Sequence, residues 1–181
     1  MQTQQRALTS LEVDKLKDKI KDIRIAMLTT QEPDGDFHTR PMATHQIEPN
    51  GTMWFFTYEN SNKVTEIRQN ERVALGFSDP GSELYVSTSG YAEVVKDKAK
   101  IDELWSDFLK TWFPNGKDDP DIALLKVTTH AGEYWDRPGG KMVKLFEMAK
   151  GAITGDSDKS GRNEKFGEDR FEKRKPDNKG Q

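Results

Sequence analysis

Arg40, Ser61 and Lys63 are the residues of this chain whose types and spacing most readily do chemistry. Ser61 and Lys63 open a helical stretch directly after Phe55-Phe56-Thr57-Tyr58-Glu59-Asn60, a strand end and a turn. The first N–H groups of a helix have no intrahelical partner and carry a partial positive charge, so a hydroxyl and an ammonium placed there make an anion site. Phosphate is the first ligand to consider. Arg40, from a neighbouring strand, would add a planar bidentate donor. A capping serine beside two surface cations has the same spacing, so spacing alone leaves both readings open.

The other candidates are weaker. His38, His45 and His130 show no metal-ligand spacing and no neighbouring carboxylate pair, so they read as surface or satisfied imidazoles and no metal site is expected. There is no Cys, and no Ser-His-Asp order stands out. Gly139-Gly140 lacks the strand-to-helix setting of a phosphate loop and reads as a turn. Trp112, Phe113, Tyr134 and Trp135 would either fill core volume or stack on a planar ligand or a second subunit. No side chain announces itself as a general acid or base, and no catalytic residue is assigned.

The elements that must position these residues are legible in order. Thr9-Ser10-Leu11-Glu12 fits a capping box, and Leu16, Ile20 and Ile23 give the following helix one apolar face. Ile25–Thr30 and Phe37–Ile47 read as a hairpin about Pro33-Asp34-Gly35, with Pro41 marking an edge strand or a bulge. Thr52–Thr57 is a strand after the Pro49-Asn50-Gly51 turn. The Ser61 helix carries Val64 and Ile67 inward and Lys63, Glu66, Arg68 and Gln69 outward. Arg72–Ser78 and Leu84–Val95 are further strands, with Gly90 a bulge or a close-approach point. Asp97 caps a helix whose stripe runs Ile101, Leu104, Trp105, Phe108 and Leu109. Ile122–Thr128 and Ala131–Trp135 are the last strands, and Lys141–Lys150 suggests a short helix.

At 181 residues the chain suits one domain, expected over residues 1–150, with 151–181 a charged tail that has little to bury. A net charge of -3 argues against a general nucleic-acid binder, which needs a concentrated basic surface. No long uncharged apolar run suggests a membrane span or a secretory signal, and with Cys absent the expectation is a cytoplasmic protein.

Taken in order, Arg40-Pro41-Met42, Trp54-Phe55-Phe56-Thr57, Ser61-Asn62-Lys63 with Ile67 and Asn70, and Val73-Ala74-Leu75-Gly76-Phe77 resemble the pyridoxamine 5'-phosphate oxidase-like flavin-binding split barrels. Trp112-Phe113-Pro114-Asn115-Gly116, Asp119-Pro120-Asp121-Ile122 and Glu133-Tyr134-Trp135-Asp136 resemble, more narrowly, the general stress protein 26 branch. The resemblance covers Leu11 to Lys150. It implies a mainly β fold, a six-stranded antiparallel split β-barrel with flanking helices, and a homodimer with FMN, or FAD, in a groove between subunits. By position it implies that Arg40, Ser61 and Lys63 hold the flavin phosphate, and that Phe56 and Thr57 line the flavin. Tyr85 and Ser87 would add contacts, and Trp112 and Trp135 would approach from the partner.

The function implied is that of an FMN-binding general stress protein. It would be either a flavin-dependent oxidoreductase or a non-catalytic FMN- or FAD-sequestering protein, with a cofactor-free dimeric β-barrel binding module as the remaining reading. Asn62 stands where oxidases of this superfamily carry Arg, and no Arg-x-His segment follows Trp135. The vitamin B6 oxidase reaction itself is therefore not implied, and the substrate is unassigned.

Overall fold

A computed structural model of the chain describes residues 8–45, 47–136 and 162–167. The first element, α1 (Ser10–Ile20), starts as its sequence dictates. The Thr9 backbone N–H donates to Glu12 Oε2 at 2.7 Å, and the Glu12 N–H donates to Thr9 Oγ1 at 3.3 Å. Each reciprocal bond satisfies a donor that the helix start would leave open. Val13, Leu16 and Ile20 then seal one side of the barrel. Gly51, at φ +83°, turns the chain beneath α1 so closely that a Cβ there would touch Val13 and Leu8.

Six strands form one antiparallel sheet: β1 (Ile25–Gln31), β2 (Phe37–Ala43), β3 (Thr52–Tyr58), β4 (Arg72–Asp79), β5 (Leu84–Val95) and β6 (Ile122–Asp136). Their spatial order is β2-β1-β4-β5-β6-β3. Although β2 and β3 are consecutive in the chain, they lie at opposite ends of this path. The sheet curls until they touch without pairing, which leaves the barrel split between them. The helix α2 (Asn62–Gln69) packs against β1 and β5.

Every residue of β3 from Thr52 to Thr57 is buried, because the strand has a core on each face. Met53 and Phe55 point into the barrel with Leu28, Leu75 and Leu125. Trp54 and Phe56 point outward into a second cluster with Ile101, Leu109, Phe113 and Leu124. That outer layer is brought by α3 (Lys98–Leu104) and a 3-10 turn at Asp107–Thr111.

Three expectations are corrected. The single helix expected after Asp97 stops at Leu104, where Trp105 turns extended, with ψ at 136°. The break lets Trp105 and Phe113 both lean on Phe56, at ring-centroid distances of 5.7 and 5.9 Å, and sends Phe108 out to 56% exposure. The two last strands are one, β6. Ser89 pairs with Ala131 while Gly90 pairs with Thr129, so a bulge, not a turn, absorbs His130. Finally, a seventh strand, β7 (Arg162–Gly167), arises inside the segment read as a charged tail and pairs antiparallel with Ala131–Asp136 of β6. β3 pairs with the same strand over Ile122–Thr128, so β6 offers unpaired backbone over its last residues, and ladder hydrogen bonds need no apolar side chains. The helix expected over Lys141–Lys150 lies outside the described residues.

Gly90 is the close approach that its sequence position suggests. A Cβ there would stand 2.6 Å from the Thr128 carbonyl oxygen, a backbone atom that cannot swing away. Gly90→Ala should therefore lower unfolding free energy by about 1–3 kcal/mol. A urea titration followed by circular dichroism measures this, and an unchanged midpoint would contradict it.

Candidate functional site

The split between β2 and β3 is a cleft of about 440 Å³. Arg40, Pro41 and Met42 of β2 form one wall, Phe56 and Thr57 of β3 the other. Lys63 of α2 lies at one end, and Leu109, Trp112 and Phe113 from the turn after α3 close it over. The walls are apolar and aromatic, with a cation at the α2 end and another on β2. That is the usual make-up of a small-molecule site, and the volume falls in the common range of about 300–1,000 Å³.

The Ser61 side chain does not cap α2. Its hydroxyl donates to the Tyr58 carbonyl at 2.7 Å and lies 3.1 Å from Thr57 Oγ1. The capping alternative for Ser61 is thus absent, and the Thr57 and Ser61 hydroxyls sit together beside the helix start. Lys63 Nζ approaches the same point, 3.3 Å from Thr57 Oγ1. Among the described residues no carboxylate lies within ion-pair distance of this ammonium. Burial first, and then the Arg40 charge, pull Lys63 below the ordinary lysine pKa, and the Glu66 charge only partly offsets them.

Arg40 differs. Its Nη2 donates to Glu66 Oε2 at 2.7 Å and its Nη1 to the Thr30 hydroxyl, which in turn donates to Glu66. Here the sequence expectation fails, because Glu66 is not outward but buried, at 5% exposure. Burial pushes the Glu66 carboxyl up, but the hydrogen bonds from Thr30 and Arg40 and the Arg40 charge outweigh it and hold the group below its ordinary value.

Phe56, Thr57, Lys63, Arg40 and Trp112 therefore line one cleft, with Ser61 behind Thr57. Trp112, 46% exposed, reaches the cleft within the same chain. Tyr85, Ser87 and Trp135 do not. Tyr85 pairs with Trp135 across β5 and β6, and all three lie on the outer face of the sheet. Tyr58 and Leu109 were not singled out as site residues, nor was Glu66, while Phe113, expected either to fill core volume or to stack on a ligand, is buried in the outer cluster and lines the cleft. Only the hydrophobic stripe that ends at Leu109 hinted at that residue's burial.

A curled antiparallel sheet with a cationic, aromatic-walled cleft at its open seam defines a protein of the split-barrel class. The chain belongs to the pyridoxamine 5'-phosphate oxidase-like family, whose model matches residues 12–159. Among solved structures it is similar to a general stress FMN/FAD binding protein from Xanthomonas citri, at 32% identity over 73% of this chain and 93% of the other, with a TM-score of 0.61. It is also similar to a Jannaschia sp. CCS1 protein provisionally assigned as general stress protein 26, at 28% identity over 88% of this chain and 100% of the other, with a TM-score of 0.71. Protein bli-3 of Neurospora crassa is 26% identical over 77% of this chain and 75% of its own. No helix among the described residues is long and apolar enough to cross a membrane.

The charge arrangement makes a pH prediction. Because the folded-state pKa of Glu66 is depressed, its contribution to stability is present above the ordinary carboxylate value of 4.5 and is lost as pH falls through the lower folded value. Glu66→Gln leaves the partly buried Arg40 without its anion and should cost up to about 3–5 kcal/mol at pH 7. The gap between variant and parent should narrow steadily below pH 4.5 in denaturant titrations at stepped pH. A gap independent of pH would refute the assignment.

Proposed function

We propose that this chain is a cytoplasmic FMN-binding general stress protein that holds the flavin phosphate at the Ser61–Lys63 end of the cleft. The observation that carries this reading is the Lys63 ammonium beside Thr57 and Ser61 in the cleft, drawn below its ordinary pKa by burial and by Arg40, with no carboxylate among the described residues at ion-pair distance. A charged group in that state calls for an anion. The hydroxyls of Thr57 and Ser61 and the open N–H groups of the α2 start converge beside it. The aromatic walls suit the planar ring system of a flavin, and the name of the Xanthomonas citri relative points the same way. FAD would use the same phosphate end.

Lys63 and the Thr57–Ser61 pair bind the phosphate in this reading, and Arg40 contributes the donors that Glu66 and Thr30 leave free. Phe56 and Trp112 flank the ring and exclude water from it. Bound flavin would supply hydride or electron transfer, which makes a flavin-dependent oxidoreductase the activity class; this chain's side chains bind and orient. The proposal extends to a homodimer. Ile25, Met27, Phe37, Tyr85 and Trp135 are 40–75% exposed, and strand alternation places them on the same outer face of the sheet. Covering such a face with a second copy is the ordinary remedy for exposed apolar surface. It would also bring the partner's Tyr85, Ser87 and Trp135 toward the cleft mouth.

The test is FMN titration of flavin-free protein, read by fluorescence quenching. Lys63→Ala should weaken binding at least about 10-fold, the loss of one charge-assisted contact of about 1.5–3 kcal/mol. Binding that survives Lys63→Ala undiminished would overturn the phosphate assignment. Lys63→Met should also raise the melting temperature of the flavin-free protein, since it removes a charge that burial disfavours. In sedimentation, Met27→Glu should shift a dimer toward monomer. NADPH oxidation with excess FMN then separates turnover from mere storage.

A further inference from the structure

Glu66 spends only one of its two oxygens on Arg40 and Thr30. Oε2 accepts from both, whereas Oε1 accepts no hydrogen bond among the described residues. Oε1 instead faces the mouth of the β1–β2 hairpin. There Nδ1 of His38 stands 3.7 Å from it and 3.3 Å from Oε1 of Glu32. One ligand atom from each of the three groups lies within 4.8 Å of the others.

We propose that Glu32, His38 and Glu66 form a divalent-cation site that takes Zn²⁺. Two carboxylates aimed at one point repel unless a positive charge lies between them. The cation in reach, Arg40, is committed to the far oxygen of Glu66. Zinc bonds to carboxylate oxygen and imidazole nitrogen of about 2.0–2.2 Å, set at tetrahedral angles, put neighbouring ligand atoms about 3.4 Å apart. The 3.3 and 3.7 Å separations bracket that value. Calcium, which takes about six to eight oxygens at longer range, is poorly matched by two carboxylates and a nitrogen.

The surroundings hold the three ligands in place. Thr30 pairs directly with His38 across the hairpin, and its hydroxyl fixes Glu66 from below. Arg40 and Thr30 on Oε2 orient the carboxylate, as outer-shell partners of metal ligands do. The hairpin turn is locked by Glu32 N–H to the Asp36 carbonyl at 2.7 Å and Gly35 N–H to the Glu32 carbonyl at 3.0 Å. Gly35 adopts φ +97°, which a residue with a Cβ rarely does. Glu32 and His38 are 40% and 48% exposed at the side chain, which leaves water access for the remaining coordination position.

The experiment uses the full chain, stripped with chelator, dialysed metal-free, and titrated with Zn²⁺ by calorimetry in a buffer without flavin. One equivalent should bind per chain, and Co²⁺ should give the intense visible bands of a tetrahedral centre. Glu32→Gln and His38→Ala, both on the hairpin surface, should each lower Zn²⁺ affinity at least about 10-fold. Their melting temperatures in chelator should match the parent. His45→Ala and His130→Ala should leave binding intact. Absence of saturable binding would overturn the proposal, leaving an ion-pair cluster only. So would affinity unchanged in both hairpin variants, which would assign the metal to other groups.

Discussion

The buried contact between Glu66 and Arg40 is the interaction on which the geometry of the split depends. β2 is an edge strand whose one ladder partner among the described residues is β1, and Pro41 in its middle gives the strand no donor there. A strand held on one side only would be free to swing into or away from the opening. Arg40 reaches across to Glu66 of α2, with Thr30 of β1 bridging the two, so that three elements are pinned at one buried point. The width of the cleft at that end follows from this pin. A buried pair of this kind is weak evidence for stability as such, because desolvation offsets much of the attraction. Its contribution here is geometric.

What was legible in the sequence was what short-range physics decides. The Thr9–Glu12 capping box, the Gly35 and Gly51 turns and the alternation of β4 each depend on neighbours within a few residues, and each formed as expected. Gly90 was legible for a related reason. A glycine inside a strand pattern signals that something comes close, and the Thr128 carbonyl does.

What was not legible depends on partners far along the chain. Glu66 falls on the helix face next to Ile67 and reads as solvated, because its partners Arg40 and Thr30 lie 26 and 36 residues away. The break after Leu104 has the same origin. The stripe from Ile101 to Leu109 is good helix periodicity, yet Phe56 and Phe113 select a bent path that lets Trp105 pack. In β6 the Thr128–Ala131 region resembled a turn, since a bulge has no signature of its own in a single strand. β7 was hidden by composition, because backbone pairing makes no demand for hydrophobic residues. Of the expected site residues, those on β3 and at the α2 start lie at the cleft, and Tyr85, Ser87 and Trp135 lie on the sheet's outer face.

By sequence Arg40 would be a bidentate donor and Lys63 a point charge on one phosphate, and the fold gives the two cations different surroundings. Arg40 is paired with Glu66 and keeps its place by hydrogen bonds, so its electrostatic pull on an anion is partly offset. Lys63, half-buried, has a hydroxyl 3.3 Å away and a neighbouring cation that disfavours its charge. An anion entering the cleft would therefore gain most from Lys63, since that is where the unmet charge lies. Arg40 then shapes the wall and adds its remaining donors, while Lys63 supplies most of the attraction. The arrangement costs stability while the cleft is empty, since a desolvated ammonium beside a guanidinium is unfavourable, and such a cost is tolerated at positions that bind. Charge left unmet at one end of an aromatic-walled cleft also orients a ligand with one anionic end, because only one direction of entry brings the negative group to Lys63.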